Sequence, residues 1–268
     1  MLKDITLGQF FPGQSAVHRV DPRFKIVYTL WFIVMVFTAS TPCGYALVFL
    51  FLLYTVLISK ISVKLILKSL KPILIFMIFT AVLNLLYARG ETVLWSWKFI
   101  TITEEGLLRA LYMVLRIMFL VAGTSMLTYT TSPTMLTDGV ERLFKPLAKL
   151  RFPVHELAMM MTIALRFIPI LIEETDKIMS AQRARGADFE SGNLLRRAKA
   201  LVPLLVPLFV SAFRRADELA LAMECRCYRG GEGRTKYRAM KAGGVDLAAG
   251  LVMLAIQVGI ILLGRFGI

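Results

Sequence analysis

Apolar positions in this chain fall into two patterns: unbroken runs, and stripes that recur at steps of three and four. The unbroken runs extend from Phe24 to about Ala39, Tyr45 to Ser59, about Pro72 to Tyr87, about Leu107 to Leu127, and Val245 to Leu263. A bilayer crossing needs roughly 20 apolar residues, so these runs predict five transmembrane helices. Asp21-Pro22 gives the first run a capping side chain and a helix-opening proline. The uncharged turn Ser40 to Gly44 separates it from the second. Lys60, Lys64, Lys68 and Lys71 follow at steps of four, four and three, and so share one helix face. The stretch from Arg89 to Glu105 mixes acids and bases around Trp95 and Trp97, which suit a membrane interface. Arg109 and Arg116 interrupt the fourth run with a spacing that puts both on one side. A charge at that depth faces protein or water and is a functional candidate, although Arg109 also reads as snorkelling to the outer interface.

Between Thr130 and about Gly244 the stripes take over, and three long amphipathic helices are expected. The first opens at Ser132-Pro133, carries Leu136, Val140, Leu143, Leu147 and Leu150 on one face, and should kink at Pro146. The second runs from about Pro153 to Arg185 with a kink at Pro169. Leu171, Ile172, Ile178 and Met179 form its stripe, opposite Glu173, Asp176 and Lys177. The third runs from about Pro203 to Tyr228, with Leu205, Phe209, Ala212, Ala216, Leu219 and Met223 on one face. The expected architecture is all-α: a four-span membrane part in 1–129, a cytoplasmic coupling part in 130–244, and a last transmembrane helix in 245–268.

Composition agrees, with 57% hydrophobic residues among 268 and a mean hydropathy of +0.68. The start, Met1-Leu2-Lys3-Asp4, lacks the short apolar core of a cleavable leader, so the first long run is expected to stay in the membrane. Basic residues set the orientation. Arg19, Arg23 and Lys25 precede the first span and four lysines follow the second, while the turn between them has none. The positive-inside rule then puts the amino terminus in the cytoplasm and the carboxyl terminus outside. Leu157 to Ile172 and Leu201 to Phe213 are apolar enough to cross as well. If both crossed, Lys177, Arg183, Arg185, Arg196, Arg197 and Lys199 would lie outside, against the same rule; amphipathic helices that graze the membrane fit better. The net charge of +14 is what a protein with basic inner loops collects, and no nucleic-acid motif accompanies it, so no nucleic-acid partner is expected. Cys43, Cys225 and Cys227 make no disulfide framework.

The second and third amphipathic helices end alike, in Ala184-Arg185-Gly186 and Cys225-Arg226-Cys227. Each puts an arginine between small residues at a helix tip. Such an arginine can simply offset the negative end of the helix dipole, with Gly186 as the left-handed stop. Alternatively, small neighbours leave the guanidinium free to enter a groove on another protein and make forked hydrogen bonds there. A Cys225-x-Cys227 metal site would need further thiols or a nearby His, and none is close in sequence. His18 and Glu156 offer no metal or acid–base constellation, so neither metal nor cofactor is expected.

Near the start, Phe11-Pro12-Gly13-Gln14-Ser15-Ala16-Val17-His18-Arg19-Val20-Asp21-Pro22-Arg23-Phe24-Lys25 resembles a proline-glycine-serine, histidine, aspartate-proline-arginine signature. With the paired arginine motifs, it makes the whole chain similar to the transmembrane T component of energy-coupling-factor transporters. These are vitamin and metal importers of the ATP-binding-cassette class, and the family includes cobalt-importer subunits. The second motif departs from the family pattern, with cysteine on both sides of Arg226 where alanine and glycine are usual. That leaves the helix stop there to Gly230-Gly231. The resemblance implies a multi-pass protein of a prokaryotic plasma membrane, working with two ATPase subunits and a small membrane S component that captures the micronutrient. It also implies that Ala184, Arg185, Gly186, Cys225, Arg226 and Cys227 couple to the ATPases. The chain has no Gly-x-x-x-x-Gly-Lys-Ser/Thr phosphate loop, consistent with a non-catalytic subunit. The stripes rich in Met159, Met160, Met161 and Met179 suit a re-packing contact with the S component. Two rivals stand beside this reading. One is a membrane enzyme acting on an acidic or phosphorylated lipid, with Glu173-Glu174 or Asp217-Glu218 as its carboxylates; the other is a permease holding its own substrate path.

Overall fold

The computed structural model describes residues 10–87, 93–97, 100–150, 152–189, 193–231 and 242–266. Met1 to Asp4 and Arg89 lie outside the described residues, as do the side chains of Trp95, Trp97, Arg196 and Arg197. Among the described residues, ten α-helices and one hairpin follow in order. They are α1 (Ala16–Arg19), α2 (Pro22–Thr38), α3 (Pro42–Ser59), α4 (Val63–Leu70), α5 (Leu74–Tyr87), β1 (Val93–Trp97), β2 (Ile100–Thr103), α6 (Glu104–Thr130), α7 (Pro133–Phe144), α8 (Val154–Ala184), α9 (Leu194–Cys225) and α10 (Gly244–Phe266). The chain separates into two compact units, one of residues 8–139 with 240–268 and one built on 140–239.

The larger unit is a helical membrane bundle. Asp21 caps α2 by accepting from the Arg23 amide, with Pro22 at the first helical position, as expected. Thr41-Pro42 repeats the device for α3, which therefore begins three residues before the apolar run at Tyr45. Lys60, left-handed at φ 57°, ends α3 and turns the chain into the short basic helix α4. The core joins α2, α3, α6 and α10 through Phe32, Met35, Val36, Tyr45, Val48, Phe119, Met253 and Ile260. Lipid tails are as apolar as these side chains, so shape and close approach hold the bundle together. Gly123 is where Phe32 inserts, and Gly139 lets α7 lie on Pro22. Leu30, Phe37, Leu57, Ile75 and Phe79 point outward, as lipid-facing side chains do.

Among the described residues, five stretches are long and apolar enough to cross a membrane: α3, the α4–α5 stretch Val63–Leu86, α6, α8 and α10. Four coincide with expected spans. The fifth is α8, whereas α2, at 17 residues, is shorter than the other four spans. The β1–β2 hairpin is an addition to the all-helical expectation, pairing Val93 with Thr103 and Trp97 with Ile100 in the stretch whose tryptophans suit an interface.

In the smaller unit α8 and α9 lie side by side. Gln182 Nε2 donates to the Pro203 carbonyl, and Arg215 Nη2 reaches Glu174 Oε2 at 3.1 Å. Residue numbers rise on one helix as they fall on the other, so the pair is antiparallel. Pro169 sits inside α8 as expected. α9 starts nine residues before the expected Pro203, carrying both Pro203 and Pro207 in its interior. The chain before α8 tightens into a 3-10 turn at Lys145–Leu150, which is the form the break at Pro146 takes.

Candidate functional site

The two arginine motifs occupy equivalent positions at the carboxyl ends of α8 and α9. At the first, the Ala187 amide donates to Gln182 O at 3.0 Å and the Gly186 amide to Arg183 O at 3.0 Å. At the second, the Tyr228 amide donates to Met223 O at 3.0 Å and the Cys227 amide to Glu224 O at 2.8 Å. Both are six-to-one and inner-loop closures around a left-handed residue, the Schellman stop. That residue is Gly186 (φ 87°) at one tip and Cys227 (φ 57°) at the other. Gly230-Gly231 therefore does not end α9; Cys227 does, in a conformation that costs a side-chain-bearing residue roughly 1–2 kcal/mol. Gly231 instead packs on the His155 ring, in the first turn of α8.

Because backbone amides already close both ends, the arginine side chains are not needed as caps. Ala184, Arg185, Gly186, Cys225, Arg226 and Cys227 are all exposed. Among the described residues neither guanidinium has a hydrogen-bond or ion-pair partner. Since α8 and α9 are antiparallel, the two tips stand at opposite ends of the pair. A helix of 31 residues rises about 46 Å, so the separation is on the order of 40 Å. Between the helices runs an apolar groove of about 670 Å³, lined by Met160, Phe167, Leu171, Ala216 and Met223, with Glu224 and Tyr228 at the Arg226 end. Met160 and Met161 are exposed beside it.

The amino-terminal signature builds a polar junction in the membrane unit rather than a second exposed site. Ser15 caps α1 and its Oγ lies 2.7 Å from His18 Nδ1, while His18 Nε2 lies 3.1 Å from the Phe11 carbonyl. Gly13 covers the His18 ring so closely that a Cβ would come within 2.7 Å of it. Partial burial lowers the His18 pKa against the opposing pull of the Phe11 carbonyl, and the Lys25 charge lowers it further. Asp21 holds Arg23 at 2.8 Å. Lys25 reaches across to Thr130 O at 2.9 Å and Thr131 Oγ1 at 3.1 Å. The Asp21 amide donates to Asp246 Oδ1 at 2.8 Å, tying α10 to the same knot.

Residues 13–237 match the family described as cobalt transport protein, a range that takes in most of the signature and both arginine tips. The chain is 53% identical over 268 residues to an energy-coupling factor transporter transmembrane protein of Acidaminococcus fermentans, covering 100% of this chain and 99% of the relative. The protein of the same name from Clostridium kluyveri is 55% identical over 257 residues (96% and 95% covered), and that from Bacillus subtilis 48% over 257 residues (95% and 97% covered). The chain belongs to the energy-coupling factor transporter transmembrane family. As a family member it is the transmembrane scaffold of such a transporter and not the subunit that hydrolyses ATP.

Family membership leaves the lipid-enzyme rival without support, and the carboxylates concur. Glu174 is committed to Arg215, and Glu218 lies 3.7 Å from Arg214 on an exposed helix face. No group of three His, Cys, Asp or Glu able to hold a metal occurs among the described residues. Arg116 lies 3.4 Å from the Ala39 carbonyl at the end of α2 and over the Phe37 ring, so in this scaffold it satisfies a helix terminus. Arg109 is exposed. Sequence reasoning missed Asp246 and the Thr130-Thr131 pair, whose partners are more than 100 positions away. An aspartate at the mouth of an otherwise apolar helix was the available signal for the first.

Proposed function

We propose that this scaffold couples two cytoplasmic ATPase subunits to a small membrane S component that captures a micronutrient, a vitamin or a metal ion. Residues 130–244 are the coupling part, the amino terminus faces the cytoplasm, and the protein sits in a prokaryotic plasma membrane. Arg185 and Arg226 each dock in one ATPase, with Ala184, Gly186, Cys225 and Cys227 keeping the approach open. The observation that carries this reading is the pair of identically closed helix ends, each presenting an exposed arginine without a partner among the described residues, at opposite ends of one antiparallel pair. Two docking points about 40 Å apart suit two separate subunits. Closure of the ATPase pair on ATP then moves both tips together. Pro169, Pro203 and Pro207 let the rods bend, because each removes a helix hydrogen bond.

The methionine-edged groove between α8 and α9 is the surface the S component would re-pack against. In the test, the chain is coexpressed with its transporter partners and purified through a tag on the chain itself. Arg185→Ala with Arg226→Ala should abolish ATPase copurification while leaving the S component bound. Full assembly and uptake in the double variant would refute the docking role.

A further inference from the structure

The membrane unit holds a cavity of about 290 Å³ bounded by α1, α2, α3, α6 and α10. Its polar end lies where Lys25 and Thr130 meet, beside Ile58, and its lining extends to Phe32, Gly123 and Met253. Seven residues separate Lys25 from Phe32, so the shaft runs about 10 Å into the bundle. Its size is at the lower edge of ligand pockets, room for part of one hydrocarbon chain.

Lys25 is 7% exposed, and among the described residues its ammonium contacts only neutral oxygens, those of Thr130, Thr131 and, at 3.4 Å, His18. No carboxylate lies within ion-pair distance of it among the described residues. Asp21 is committed to Arg23, and Asp246 accepts from the Asp21 and Gly243 amides and acts on Lys25 only at longer range. A buried ammonium without a counter-ion is costly. Arg19 and Lys60, both exposed, add positive charge near the same end. Arg19 shares α1 with lining residues, and Lys60 follows lining residue Ile58 by two positions and opens the lysine series of α4.

We propose that this cavity takes an acyl chain of an anionic phospholipid, whose phosphate lies among Lys25, Arg19 and Lys60. Hydrocarbon fits the apolar shaft, and the negative headgroup supplies the charge that Lys25 lacks.

The full chain is reconstituted, alone and in the assembled transporter, in phosphatidylcholine nanodiscs containing phosphatidylglycerol with a photoreactive acyl chain. After irradiation, labelled peptides are mapped by mass spectrometry. Label is expected on the segments holding Phe32, Met126 and Met253, displaced by unlabelled phosphatidylglycerol but not by phosphatidylcholine. Lys25→Gln should weaken it about tenfold, the loss of one charge-assisted contact. Ala249→Leu, which fills the shaft and leaves Lys25 intact, should remove it and covers the case in which the lysine variant misfolds. Labelling indifferent to headgroup, labelling confined to outward residues such as Leu30 and Ile75, or crosslinks from those core positions to a partner protein would each overturn the proposal. Arg185→Ala with Arg226→Ala should leave the labelling unchanged, so this site and the docking tips fail independently.

Discussion

The equivalence of the two helix ends predicts opposite outcomes for removing glycine at one tip and introducing it at the other. Gly186 and Cys227 hold the same place in the same hydrogen-bond pattern, both left-handed, and both are exposed. Nothing lies within 4 Å of a Cβ built on Gly186, so Gly186→Ala meets no clash and its cost is backbone strain alone. Left-handed backbone costs a residue with a Cβ roughly 1–2 kcal/mol, and the extra unfolded-state freedom of glycine offsets about 0.4–1 of that. Gly186→Ala should therefore destabilise by about 1 kcal/mol, and Cys227→Gly should stabilise by about 0.5–1 kcal/mol. Combined, they should nearly cancel. Hydrogen exchange at the Ala187 and Tyr228 amides reads each tip locally, and about 1 kcal/mol is a factor of about 5 in opening. Slower exchange at Tyr228 in Cys227→Gly and faster exchange at Ala187 in Gly186→Ala is the expected pair. If both substitutions speed exchange, the two tips are not built alike.

Gly123→Ala should destabilise the membrane bundle by about 1–3 kcal/mol, because the new Cβ falls within 2.7 Å of Phe32 Cδ1, a ring that also packs on the helical core. Phe32→Leu in the same chain should recover much of the lost melting temperature in detergent. A double-mutant cycle on Glu174→Gln and Arg215→Gln should give a coupling of about 0.5–1 kcal/mol by thermal unfolding, since the pair is partly exposed; no coupling would mean it does not align α8 with α9. The His18 pKa is lowered in the fold, chiefly by burial. Its contribution is fully present above the ordinary histidine value near 6.5 and is lost as pH falls through that value toward the lower folded one. Stability scans should show that loss as pH falls below about 6.5, and His18→Gln should flatten it.

The helices were legible because their signals are local. Asp21-Pro22, Ser132-Pro133 and the lysines from Lys60 to Lys71 announce starts and faces from neighbours a few positions away, and Pro169 marks α8 as a proline-bearing rod. The hairpin at Val93–Thr103 was not, because a short polar–apolar stretch with two tryptophans fits a strand and an interface loop equally well. α9 was drawn late because Pro203 reads as a helix opener, whereas here it sits nine residues inside. The arginine tips could be found from the repeated ending. That Cys227 takes the glycine position, and that Lys25 and Asp246 share a buried junction, depends on backbone dihedrals and on contacts across more than 100 positions, which no window along the chain contains.

The native thiols beside Arg226 allow the central claim to be measured with little change to the protein. In the detergent-solubilised free chain, Cys225, Cys227 and Cys43 are exposed and should react with a maleimide at similar rates; a cysteine introduced at Ala184 reports on the other tip. In the assembled transporter, Cys225, Cys227 and the cysteine at 184 should become protected, and removal of the ATPases should restore their reactivity. Undiminished labelling of either tip in an assembled, ATP-hydrolysing complex would contradict docking there.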